Sequence, residues 1–160
     1  MKIKAPITPC LWFDGQAEEA AKFYISIFEG SKITNISYYP EAGREQHGHD
    51  AGDVMTVMFE LGGQQFMGLN GGPHFKFSEA ISLCIMCENQ EEIDYFWDAL
   101  TADGGMEVEC GWLKDKFGLS WQVMPANIAE LIGGDKERSS RVMQVVMSSK
   151  KLNIAAMENA

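Results

Sequence analysis

Hydrophobic and polar positions along the chain change period several times, and the changes mark out two similar runs of elements. Ile7-Thr8-Pro9-Cys10-Leu11-Trp12-Phe13 reads as a strand, turned by Asp14-Gly15 toward a helix over 16–28. That helix is acidic early, at Glu18 and Glu19. It places Ala20, Phe23, Tyr24 and Ile27 near one face and meets Gly30 where a C-terminal glycine is expected. A second strand follows over 32–39, then a polar loop over 40–53 containing Gly43, Gly48 and Gly52, long enough to be a lid or simply mobile. Strands over 54–61 and 64–69 pair as a hairpin across Gly62-Gly63.

After Asn70-Gly71-Gly72-Pro73, a linker by composition, the pattern restarts. Residues 81–87 form a strand, and Asn89 caps a helix to about residue 100 with Ile93, Phe96, Trp97 and Leu100 apolar. Gly104-Gly105 closes it, and an offset of about 74 residues superposes the two strand–helix starts, the mark of an internal repeat. Shorter strands follow over 106–111, 112–114 and 119–124, with no counterpart to the polar loop. In the last of them Leu119, Trp121 and Val123 share one face, leaving Ser120, Gln122 and Met124 on the other. Beyond Pro125, helices over 126–132 and 135–147, the second with Val142, Val145 and Val146, are additions suited to covering a sheet edge or a partner subunit. Residues 150–160 carry too little pattern to assign. The expected division is therefore 1–72, a strand–helix–three-strand module with the polar loop 40–53; 73–125, a second such module; and 126–160, a helical extension.

Composition narrows the function classes. A chain of 160 residues can bury a core without staples, and a net charge of -10 argues against a nucleic-acid groove or an anionic membrane as partner, both of which need clustered Lys and Arg. No apolar run reaches the roughly 18 residues of a membrane span, and Met1-Lys2-Ile3-Lys4-Ala5-Pro6 lacks the apolar segment of a secretion signal, so a cytoplasmic protein is expected. Cys84 and Cys87 have a metal-like spacing, but three residues apart on a strand they face opposite ways. With Cys10 and Cys110 they read as small apolar residues of a reduced core.

Two consecutive βαβββ units resemble the vicinal oxygen chelate superfamily, the glyoxalase/bleomycin resistance protein/dioxygenase fold, and more narrowly its PhnB-like branch. The likeness is carried by Thr8-Pro9-Cys10-Leu11-Trp12-Phe13, by Phe23-Tyr24, by Phe66 to Pro73 and by Phe117 to Pro125, and spans nearly the whole chain. It implies an α+β fold of two repeats whose sheets form curved half-barrels around a cavity, extra C-terminal helices, and a homodimer. In metal-dependent members the ligands are typically a His on the first strand of each unit and a Glu on the last. Those positions correspond here to Thr8, Met67, Ser82 and Gln122, and hydroxyls, a thioether and an amide are weak ligands for divalent first-row metals. No metal and no cofactor is expected. The PhnB-like branch has also carried a demethylubiquinone methyltransferase name, yet no Gly-rich strand-to-helix turn of the kind that cradles a nucleoside cofactor is evident.

The reading reached is a binding protein whose cavity takes a small, partly apolar molecule. Its expected lining is Thr8, Cys10, Trp12, Met67, Ser82, Cys84, Met86, Ser120, Gln122 and Met124, aromatic and thioether walls with a few polar groups. No catalytic residue can be assigned. One alternative is a lyase, isomerase or dioxygenase with a divalent metal held by His47, His49 or Glu109; His47-Gly48-His49-Asp50 otherwise reads as a solvated loop, and His74 as surface. Another is a dimeric interaction protein whose cavity is filled by side chains, the ten methionines included.

Overall fold

The computed structural model describes residues 7–160; the stretch Met1–Pro6, read above for its lack of a secretion signal, lies outside the described residues. The chain divides into two compact units, Met1–Lys76 and Phe77–Ala160. Among the described residues no helix is long and apolar enough to cross a membrane.

The first unit runs β1 (Cys10–Phe13), α1 (Ala17–Ile27), β2 (Lys32–Tyr38), α2 (Arg44–His47), β3 (Val54–Leu61) and β4 (Gln64–Asn70). Its sheet has the order β1-β4-β3-β2, with β1 parallel to β4 and the other pairs antiparallel. Helix α1 buries Ala17, Ala20, Ala21, Tyr24 and Ile27 against β3 and β4. The alanines let the helix lie close, and Gly68 leaves room for it: a Cβ there would fall 3.1 Å from that of Ala17. Tyr24, Phe59 and Phe66 continue the packing, the last two stacked at 5.5 Å. Gln16 offers α1 no side-chain cap. The Ala17 N–H donates instead to Asn70 Oδ1 at 2.9 Å, a cap supplied from the far end of the unit. The polar loop is not structureless, since α2 forms within it between Gly43 (φ 86°) and Gly48 (φ 74°).

The second unit runs β5 (Ser82–Cys87), α3 (Gln90–Thr101), a 3₁₀ turn over Ala102–Gly104, β6 (Met106–Glu107), β7 (Trp112–Lys114) and β8 (Ser120–Pro125). Helices α4 (Ile128–Ile132), α5 (Lys136–Met147) and α6 (Ile154–Glu158) follow. The sheet order β5-β8-β7-β6, with β5 parallel to β8, repeats that of the first unit strand for strand. Asn89 caps α3 through the Glu92 N–H, and the helix buries Ile93, Trp97 and Leu100; the Trp97 indole N–H donates to Glu107 at 2.8 Å.

The expected curved half-barrels are not formed. Each repeat holds an open four-stranded sheet whose outer strands, β1 and β2 in one and β5 and β6 in the other, do not pair with each other. In the second sheet β7 has three residues and β6 two, too little ladder to carry a curl. The C-terminal helices build a small core of their own from Leu131, Val142, Val146, Leu152 and Met157. It is tied to α3 by Gln90, which donates to the Leu152 carbonyl at 3.1 Å and accepts from the Ile154 N–H at 2.9 Å.

Candidate functional site

Strand alternation fixes which side chains share the face of each sheet opposite its helix. In the first unit, Cys10, Met67, Met58 and Asn35 stand in one cross-strand row, and Trp12, Leu69, Thr56 and Ser37 in the next. Met58, Met67, Leu69 and Thr56 are half-buried and Cys10 is exposed. Trp12 is held rigidly: its indole N–H donates to the Gly72 carbonyl at 2.8 Å, and the Phe75 ring meets it edge-on at 4.9 Å. Gly71 presses so close that a Cβ there would sit 2.1 Å from the indole. Thr8, half-buried, precedes β1.

In the second unit the corresponding face carries Ser82, Ser120, Lys114 and Met106 in one row, and Cys84, Gln122 and Trp112 in the next. Met86 and Met124 form a third, where Met124 packs against the C-terminal helical core and Met86 is exposed. Gln122 donates through Nε2 to Ser82 Oγ at 2.7 Å. Ser120 is buried, and its hydroxyl has no partner. Lys114 pairs at 2.5 Å with Glu79, which keeps the Glu79 carboxyl below its ordinary range, chiefly through their hydrogen bond.

Of the expected site residues, Cys10, Trp12, Met67, Ser82, Cys84, Met86, Ser120 and Gln122 stand on the sheet faces turned away from α1 and α3, Met124 shares that face but packs against the C-terminal helical core, and Thr8 lies before β1. Cys10 and Met67 are direct neighbours across β1 and β4, and Cys84 and Gln122 occupy the same places across β5 and β8, at the matching step of the repeat. Thr56, Met58 and Leu69 belong to the first face, and Lys114, Trp112 and Met106 to the second. The reading of the sequence omitted all six, although the hairpin alternation of β3 and β4 could have supplied the first three. Lys114 depended on a pairing between β7 and β8 that no local pattern announces.

The donor set does not suit a divalent metal. Gln122 turns an N–H toward Ser82, so the pair is engaged with itself, and no carboxylate or imidazole stands beside it in the two rows that hold them. Among the described residues no three His, Cys, Asp or Glu side chains are grouped so as to hold an ion. His47 and His49 are not a solvated loop either. Both stack on Tyr39, at 4.6 and 4.3 Å, and the His49 N–H donates to His47 Nδ1 at 3.1 Å. Tyr39 is buried, which pushes its hydroxyl above the ordinary phenol value, and it donates to the Asn70 carbonyl at 2.5 Å. Glu109 and His74 are exposed. Of the cysteines only Cys87 is a core residue; Cys84 and Cys10 are exposed and Cys110 is half-buried.

Residues 5–124 match the family model for 3-demethylubiquinone-9 3-methyltransferase. A Bacillus cereus PhnB protein is 38% identical over 75% of this chain and 99% of its own, with a TM-score of 0.65. The chain belongs to the PhnB-like branch of this family, within the vicinal oxygen chelate superfamily. Likeness in fold extends to protein PA1353 from Pseudomonas aeruginosa, at 20% identity over 76% of this chain and 98% of that one with a TM-score of 0.61. It also reaches the fosfomycin resistance protein FosX from Listeria monocytogenes, at 15% identity over 83% of this chain and 100% of that one with a TM-score of 0.54. No curated protein matches significantly. The PhnB-like match ends at Met124, so α4 to α6 lie beyond it.

Proposed function

We propose that this PhnB-like chain binds a small, partly apolar molecule on the faces of its sheets turned away from α1 and α3, without a metal, as a homodimer in the cytoplasm. The observation that carries the reading is the Gln122–Ser82 hydrogen bond at 2.7 Å. At the position where the superfamily resemblance calls for a metal ligand, this chain pairs two neutral groups. Around them the face offers the thioethers of Met86 and Met106, the Trp112 ring and scattered polar groups, the kinds of group that small-molecule sites use. Trp12 supports the reading from the first unit, because Gly72 and Phe75 hold it rigid and a ligand on it pays little ordering cost. Each unit is considered by itself: the proposed contacts on the first sheet are Thr8, Cys10, Trp12 and Met67, and those on the second sheet are Ser82, Cys84, Met86, Ser120, Gln122 and Met124. Self-association is supported by the open edge of the first strand of the second sheet, β5, along which Ile81 and Met86 are exposed at 72% and 49%.

Tryptophan-fluorescence titration with a panel of hydrophobic ligands tests the binding. A saturable response that changes in Trp12→Phe is expected; an unchanged response to every ligand in that variant overturns the assignment of the face. Elemental analysis of protein purified without chelator should find no stoichiometric transition metal, and light scattering should give the mass of a dimer.

A further inference from the structure

We infer that the second-unit face recognises a carboxylate, so that the molecule proposed above is an amphiphilic carboxylic acid whose head group lies between Lys114 and Ser120. The inference rests on the binding reading and adds the chemical class. Ser82, Ser120 and Lys114 occupy one row across β5, β8 and β7, on the face away from α3. Side chains directly opposite each other in a sheet stand about 5 Å apart at Cβ, a span that the two oxygens of one carboxylate can bridge.

Two observations point to a ligand there. Ser120 is 1% exposed, yet its hydroxyl has no hydrogen-bond partner. A buried hydroxyl left unpaired is destabilising, and a chain that needed only packing at this place would be served better by alanine. Beside it, Lys114 is an ammonium already engaged with a carboxylate, that of Glu79, at 2.5 Å. The Lys114 side chain is 24% exposed and that of Glu79 is 59% exposed, so a carboxylate from solvent can take the place of Glu79 from outside. Glu79 lies outside the sheet, in the turn before β5, and it stands in for the head group of the ligand. One oxygen of the incoming carboxylate then accepts from Lys114 and the other from the Ser120 hydroxyl. The Gln122–Ser82 pair borders the site, and the next row, with Cys84 and Trp112, offers an apolar path for the rest of the molecule. A single ammonium balances a singly charged carboxylate but leaves much of the charge of a phosphate monoester, about −1.5 to −2 at pH 7, without a partner.

The test compares octanoate with octan-1-ol and octyl phosphate by isothermal titration against the full chain and three variants. The unaltered protein should bind octanoate at least five-fold more tightly than octan-1-ol. Glu79→Gln should strengthen octanoate binding about three- to ten-fold and leave octan-1-ol unchanged, because it removes the resident competitor. Ser120→Ala should weaken octanoate by a similar factor while leaving Tm unchanged or raised, a combination that a merely structural hydroxyl does not give. Lys114→Met should abolish the preference for octanoate over octan-1-ol. Equal affinity for octanoate and octan-1-ol, tighter binding of octyl phosphate, or weaker octanoate binding in Glu79→Gln overturns the inference while leaving the binding reading intact. Failure of all three probes, together with a silent hydrophobic panel, overturns both.

Discussion

The buried carboxylate of Asp115 accepts a hydrogen bond from the Trp121 indole N–H at 2.8 Å, joining the turn before β8 to the large side chain near the start of that strand. The other oxygen accepts from the Phe117 N–H at 2.9 Å and the Leu119 N–H at 3.0 Å. One side chain therefore sets the turn, through two backbone donors, and the orientation of β8, through Trp121. Because alternation then fixes the opposite face, Asp115 also aims Ser120 and Gln122 away from α3.

Asp115→Asn is nearly isosteric but supplies only one acceptor oxygen. Its amide N–H must face either the indole N–H or a backbone N–H, donor against donor. Hydrogen bonds to a charged acceptor contribute about 1.5–3 kcal/mol each, so urea denaturation should show a loss of about 2–4 kcal/mol. Asp115→Ala should lose as much or more. A loss below about 0.5 kcal/mol would mean that the turn holds its shape without the carboxylate.

The repeat was legible in the sequence because it is written in local periods: alternation in the strands, helical spacing in α1 and α3, and the Asn89 cap. The role of Asp115, between the strands expected over 112–114 and 119–124, was not. A charged residue in a turn reads as exposed, and only the return of Trp121 over it makes it a core residue. His47 and His49, polar by composition, are likewise drawn in from solvent, half-buried and stacked on a buried Tyr39 at β2's end of the loop. Short helices escaped for another reason: α2 has four residues and α6 five, too few to show a period. Half-barrel curvature came from resemblance alone, and the stunted β6 and β7 are what the open second sheet reflects.

Gly71 tests how firmly Trp12 is seated. Gly71→Ala would place a methyl group 2.1 Å from the indole, so the ring must leave its place and give up the bond to Gly72. Overpacking of this kind costs about 1–3 kcal/mol. The expected outcome is that loss together with a shift in the tryptophan emission maximum; an unshifted spectrum in a folded variant would contradict the packing described here.

The four thiols should separate by reactivity. Cys87 is buried, and burial, with a smaller contribution from Glu92, pushes its thiol up to about 12, so almost no thiolate exists at pH 8. Cys10 and Cys84 are exposed. Titration with a disulfide reagent at pH 8 should modify those two first, Cys110 more slowly, and Cys87 only when denaturant is added. Rapid modification of Cys87 in the folded protein, mapped by peptide mass, would contradict its place in the core.

Helix α5 carries a pH-dependent cap. Asp135 accepts from the Glu137 and Arg138 N–H groups, each at 3.0 Å, and these bonds, that to Arg138 foremost, hold its carboxyl below the ordinary value. A carboxyl depressed in the folded state adds stability above its unfolded pKa, and that stability fades as the pH falls through the folded value. Asp135→Ala should therefore lower Tm at pH 7, with the difference narrowing below about pH 4. Asp135→Asn, which keeps a capping oxygen, should recover most of the loss at pH 7 and show less dependence on pH. A pH-independent difference between the alanine variant and the unaltered protein would assign the effect to the helix rather than to the charge.

Asn70 looked like the first residue of a linker, and its side chain joins the start of α1 to the start of β3. At the end of β4 it is buried, accepts from the Ala17 N–H at 2.9 Å and donates to the Val54 carbonyl at 2.9 Å, while its own carbonyl receives the Tyr39 hydroxyl at 2.5 Å. It caps α1, ties the start of β3 and anchors the ring on which His47 and His49 stack. The linker reading failed because Asn followed by two glycines is ordinary loop composition, whereas its partners lie 16 to 53 residues away. Asn70→Ala leaves a buried helix N–H without a partner, at about 1–3 kcal/mol, and a half-buried strand carbonyl at about 1 kcal/mol, for an expected loss of about 2–4 kcal/mol. Asn70→Asp keeps the cap of α1 but sets an oxygen against the Val54 carbonyl, so it should be destabilised at pH 7 and partly rescued at low pH, where a protonated carboxyl can donate. The reverse order, with Asp tolerated at pH 7 and harmful in acid, would show that the helix N-terminus outweighs the strand carbonyl at this position.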